Sequence, residues 1–158
     1  MKFYKITLVV LTVGFLNLSL KITDNKYQIE CISLETDGYL SLKIWNPTSG
    51  NSYKLDQARK DAVHSILYSG IAGTNGCTTQ KAILNSSEEI EKFKKIEKEF
   101  FSAKGKWNIF TRSSAIETTL PLNISDKKWK VYQISVSKDA IRKYLEENQI
   151  IKSLNTGF

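Results

Sequence analysis

Residues 27–45 specify a β-hairpin. Tyr27, Ile29 and Cys31 alternate with polar neighbours in one run, and Leu40, Leu42 and Ile44 alternate with Ser41 and Lys43 in the next. A repeat of two puts each apolar set on one face of a strand. Asp37-Gly38 lies between the runs, a pair suited to the positive φ of a tight hairpin turn. Asn46-Pro47 ends the second run, because proline has no N–H to give to a ladder. A hairpin with one apolar face is not a fold by itself, so the rest of the chain has to cover that face.

The next segments supply the cover. Over residues 52–69, Leu55, Ala58, Ala62, Ile66 and Leu67 fall on one helical stripe. Gln57, Arg59, Lys60 and Asp61 are expected to face water, and the two alanines let the helix lie close to the sheet. Gly70 stops this helix. Ser86 and Glu89 form the capping box of a second helix, with Ile90, Phe93, Ile96 or Glu97, Phe100 and Phe101 inward and Gly105 after its end. Glu88–Lys92 and Glu91–Lys95 are spaced as i,i+4 pairs on its wet face.

Residues 106–112 read as a third strand. Residues 113–128 read as a polar connection containing Pro121, with a short strand near 116–120. Residues 129–137 are rich in β-branched and aromatic side chains and read as the fourth strand. Ser137 caps a last helix carrying Ala140, Ile141, Tyr144 and Leu145. The order ββααββα predicts an α+β fold: a mostly antiparallel sheet of two hairpin-like strand pairs, with helices on one face. Hairpin-then-helix occurs twice, a loose pseudo-symmetry within a single domain over residues 25–158.

The domain is preceded by a targeting signal. Lys2 and Lys5 lead into an apolar run from Ile6 to Leu20, the layout of a signal peptide over residues 1–20. The alternatives are an uncleaved membrane anchor, since the run approaches the length of a minimal span and small residues for cleavage are sparse around Ser19, and a buried core helix. The signal and anchor readings both export the domain, to the periplasm or the outside. No cysteine follows the run directly, so lipid attachment is not expected. Loss of Lys2 and Lys5 lowers the formal charge from +7 to +5. The remaining charges are interspersed, unlike the one-sided basic face of a nucleic-acid reader, and no nucleic-acid partner is expected.

Cys31 and Cys77 are the only cysteines. In an oxidising compartment they form a candidate disulfide; two unpaired thiols are the alternative. With only His64 beside them, they cannot fill a four-ligand zinc site without carboxylates, and no metal or cofactor is expected.

His64, the single histidine, lies on the first helix without a nucleophile or carboxylate at a diagnostic spacing, and reads as structural. A Cys77–His64 pair would make a small thiol enzyme or redox protein. The segment Gly70-Ile71-Ala72-Gly73-Thr74-Asn75-Gly76 lacks the Gly-Lys-Ser/Thr ending of a phosphate loop and follows a helix rather than a strand. Gly70, Gly73, Thr74, Asn75 and Gly76 are instead candidate members of a mobile contact loop over residues 70–82. Glu146-Glu147 is expected to face solvent, and Trp45, Trp107 and Trp129 to be buried. Asn85-Ser86-Ser87 and Asn123-Ile124-Ser125 match the glycosylation sequon, which matters only in a eukaryotic secretory path.

Gln57-Ala58-Arg59-Lys60-Asp61-Ala62-Val63, the 70–77 loop, Phe100-Phe101 and the ending from Val136-Ser137-Lys138-Asp139-Ala140-Ile141 to Gly157-Phe158 resemble a family of uncharacterised secreted proteins of Gram-negative bacteria. The resemblance spans nearly all of the chain after the leader and departs in the polar stretch 113–128. It implies bacterial export and brings no catalytic residues. With no catalytic constellation, the expected function is a non-enzymatic, envelope-associated binding module whose contact surfaces are the 70–82 loop and the 113–128 segment. The alternatives are the thiol protein above and a subunit of an envelope complex anchored by its first segment.

Overall fold

Gln28–Leu34 (β1) and Tyr39–Trp45 (β2) pair antiparallel across the expected turn, with Gly38 at φ +81°. The structure is a computed structural model that describes residues 27–49, 52–74, 76–120 and 129–153. Residues 1–26, where the leader is expected, Asn75, the rest of the expected connection from Pro121 to residue 128, and residues 154–158 lie outside the described residues, as does the side chain of Trp129. Ile32 is an extra residue in β1, where the register shifts between Cys31 and Ser33.

Thr111–Leu120 (β3) and Trp129–Ser137 (β4) form the second antiparallel pair. β4 also pairs antiparallel with β2, Ile134 opposite Leu42, and the sheet order is β1-β2-β4-β3. Each central strand leads out to a helix: β2 to Leu55–His64 (α1), β4 to Lys138–Glu147 (α3). The two hairpin-then-helix units therefore meet at the middle of one α+β sheet. Between them lies Ser87–Phe100 (α2).

Leu40, Leu42 and Ile44 of β2 and Tyr132, Ile134 and Val136 of β4 form one buried face of the sheet. Ala58, Ala62 and Val63 of α1, Phe93 and Phe100 of α2, and Ile141 and Leu145 of α3 close over it. The capping box is present: Ser86 Oγ accepts from the Glu89 N–H, and Glu89 Oε2 accepts from the Ser86 N–H. Glu88 pairs with Lys92 at 2.7 Å, whereas Glu91 takes Lys94, one residue nearer than the expected Lys95. Ser137 Oγ accepts from the Ala140 N–H and starts α3.

Three local expectations are corrected. The first helix begins at Leu55, not at residue 52, and its last turn widens into a π turn, Ser65–Ser69, with the Gly70 N–H reaching the Ser65 carbonyl. Gly70 follows at φ +70°. Asp61 does not face water: only 9 % of it is exposed. Residues 106–110 are a 3-10 helix, Lys106–Phe110, and not a strand. In a 3-10 helix side chains three apart eclipse, so Trp107 and Phe110 enter the core together.

Arg59 secures that helix. Its Nε donates to Thr111 Oγ1 at 2.8 Å, its Nη2 donates to the carbonyls of Asn108 and Thr111, and its guanidinium lies 5.1 Å from the Trp107 ring. Trp45 and Trp107 are both buried.

Candidate functional site

The 70–82 loop folds back on itself. Ile71 and Gln80 exchange both backbone hydrogen bonds, at 2.8 and 2.9 Å, and Thr74 and Cys77 do the same. Cys77 is disulfide-bonded to Cys31 in β1. The Thr74 hydroxyl donates to the Cys31 carbonyl at 2.6 Å. Gly76 packs so closely on the Ile32 carbonyl that a Cβ there would collide with it. The loop thus covers the outer edge of β1, which would otherwise offer unpaired backbone groups to another strand.

Its far end is held too. Lys138 Nζ donates to the Lys81 carbonyl at 2.9 Å and to Gln80 Oε1. Burial first, and the charge of Arg142 second, lower the Lys138 pKa. The Ile83 and Leu84 N–H groups donate to the Ile66 and Leu67 carbonyls in the π turn. Gly70, Gly73 and Gly76 allow backbone to approach too closely for a Cβ. Ala72, Gly73, Thr74, Gly76, Thr78 and Thr79 stay exposed on this fixed support.

His64 belongs to a separate half-buried polar cluster. Its Nδ1 lies 3.1 Å from the Tyr27 hydroxyl, which is also 3.0 Å from Ser65 Oγ. The ring is 4.7 Å from the Tyr68 ring, and the Tyr68 hydroxyl donates to Glu97 at 2.9 Å. On the same helix Asp61 accepts from Tyr53 and from Gln57, each at 2.7 Å. The Tyr53 carbonyl accepts from Tyr132.

Burial dominates the electrostatics of this cluster. It lowers the His64 pKa against the opposing pull of Glu97 and Asp61. It raises Asp61 although Tyr53 and Gln57 stabilise the carboxylate. The Tyr27 hydroxyl is pushed up to about 12, and Tyr53 and Tyr68 are raised as well. These hydroxyls are neutral near pH 7, and those of Tyr53 and Tyr68 donate.

The structure does not bring His64 together with a thiol, because the Cys77 sulfur is held by Cys31. Ser65 is buried and its hydroxyl is engaged by Tyr27, which leaves it no access to a substrate. Among the described residues no three His, Cys, Asp or Glu side chains converge as a metal site would require. Glu146 is half-buried, with Arg142 3.9 Å away, while Glu147 is exposed as expected.

The polar cluster went unread in the sequence because Gln57 and Asp61 read as a solvent face and His64 as a lone structural residue. The available signal was their spacing of four and three, which places them on one stripe beside Ala58 and Ala62. On the other face of the sheet, Gln133 donates to Ser41, and Arg112 pairs with Asp37 at 2.7 Å while lying 3.9 Å from the Tyr39 ring. Compared with family models, with characterised proteins and with solved structures, the chain finds no match.

Proposed function

We propose that the protein is an exported, non-enzymatic binding module of a bacterial envelope, periplasmic or extracellular in a Gram-negative cell. The 70–82 loop is its contact surface. The observation that carries this reading is the Cys31–Cys77 disulfide, which fixes an exposed threonine- and glycine-rich loop to the edge of the sheet. Structural disulfides form where the environment is oxidising, in keeping with the leader over residues 1–20. A fixed loop loses less conformational freedom on binding than a mobile one, so more of its contact energy appears as affinity.

The test compares proteins crosslinked in cells to the wild type and to a Thr78→Ala/Thr79→Ala variant, with exposed Lys94→Ala on α2 as control. A partner lost only with the loop variant is the expected result. A partner set unchanged by the loop variant overturns the placement. The thiol alternative requires Cys77 to be reduced in the exported protein, and a count of free thiols decides it.

A further inference from the structure

We infer that the ridge formed by the 3-10 helix Lys106–Phe110 is a contact surface for anionic phospholipid membrane. It is a separate surface from the 70–82 loop. Eclipsing at i and i+3 divides this short helix into rows. Trp107 and Phe110 form the buried row; Lys106 and Ile109 form an exposed one. Ile109 is 67 % exposed, the most exposed large apolar side chain among the described residues.

A lone exposed isoleucine is ordinary on a protein surface. This one stands among cations. Lys106 eclipses it, Lys104 is exposed in the turn just before, and Lys60 Nζ lies 5.2 Å from the Trp107 ring. Asp56 is occupied by Arg59 at 3.7 Å, and Glu99 lines a groove of about 290 Å³ with Lys104 and Lys106. The grip of Arg59 on Asn108 and Thr111 holds the ridge in place without drawing on these lysines.

A membrane rewards both features at once. Anionic headgroups attract the lysines, and the aliphatic side chain leaves water for the interface. A nucleic-acid backbone would reward the lysines and leave Ile109 in water.

The test uses protein purified after export, its N-terminus read by sequencing, and sedimentation with vesicles of phosphatidylcholine alone or mixed with phosphatidylglycerol. A leader, if retained, carries Lys2 and Lys5 and adds its own preference for anionic vesicles, so the ridge is read from the difference between the wild type and variants with the same N-terminus. The wild type is expected to prefer anionic vesicles at low salt. Lys104→Gln/Lys106→Gln should weaken that binding by about 30-fold, and Ile109→Ser by about tenfold. All three positions are exposed, and unchanged thermal midpoints verify that the variants fold. Equal binding to both vesicle types overturns the inference, as does anionic binding that neither variant alters. Binding to an oligonucleotide as tight as to vesicles and indifferent to Ile109→Ser overturns it in favour of general polyanion attraction.

Discussion

The Tyr53 hydroxyl donates to Asp61 Oδ2 at 2.7 Å, tying the segment before α1 to the buried side of that helix. Tyr132 in β4 donates to the Tyr53 carbonyl, so the contact also reaches the sheet. A carboxylate so buried is tolerable because it is hydrogen-bonded.

Tyr53→Phe removes one of the two donors to Asp61 and leaves the ring in place. Leaving a buried acceptor short of a partner costs about 1–3 kcal/mol. Urea denaturation of the variant should show a loss in that range with an unchanged slope. A loss below about 0.5 kcal/mol would mean that Asp61 has other donors.

His64 gives the fold a pH dependence of definite sign. Its folded pKa is lowered from the ordinary 6.5. As pH falls below that value, the unfolded chain takes up a proton that the folded chain resists, so stability falls. Above it the contribution is constant. Asp61 acts in the opposite sense. Raised from 3.8, it favours the folded state most at low pH and loses that contribution as pH rises through its folded value. Between about pH 8 and about pH 5.5 the wild type should lose more stability than His64→Gln. Parallel curves for the two proteins would place His64 outside this linkage.

Much of this architecture was legible in the sequence because it rests on local rules. Asp37-Gly38 fixes a turn, the Ser86/Glu89 pair fixes a helix start, and alternation fixes the faces of β2 and β4. What escaped depended on partners distant in the chain. Asp61 looks like a surface residue until Tyr53 is folded over it. Trp107 and Ile109 alternate like strand residues, but Arg59, 49 positions before Asn108, holds them in a 3-10 turn. The loop 70–82 reads as mobile because its glycines are visible and the β1 edge they approach is not. The disulfide pairing itself was legible only as an even count.

The Cys31–Cys77 bond spans 46 residues of chain. Closing a loop of that length stabilises the fold by about 4 kcal/mol on the chain-entropy account. Reduction, or Cys31→Ser/Cys77→Ser, should lower the unfolding free energy by about that amount. Hydrogen exchange should quicken first at Ile71, Thr74, Cys77 and Gln80, whose amides bond only within the loop. Gly76→Ala should impair formation of the bond, because the new methyl group meets the Ile32 carbonyl. Full oxidation of Gly76→Ala at the wild-type rate would show that the loop reaches Cys31 without that close approach.

α3 ends in a Schellman motif with an unusual residue at its left-handed position. The Ile150 N–H reaches the Leu145 carbonyl at 2.9 Å, and the Gln149 N–H reaches Glu146 at 3.0 Å. Gln149 sits at φ 57°, the only non-glycine residue with positive φ among the described ones. A side chain there costs about 1–2 kcal/mol, while glycine adds freedom to the unfolded chain worth about 0.5–1 kcal/mol. Gln149→Gly should therefore stabilise the protein by about 0.5–1 kcal/mol. Ile150 and Ile151 are buried just beyond, so the tail keeps its anchorage in the variant. Gln149→Val should destabilise instead, since a β-branched side chain suits this region least. A urea midpoint that moves the same way in both variants would show that the side chain at 149, and not its backbone conformation, sets the energy of this helix end.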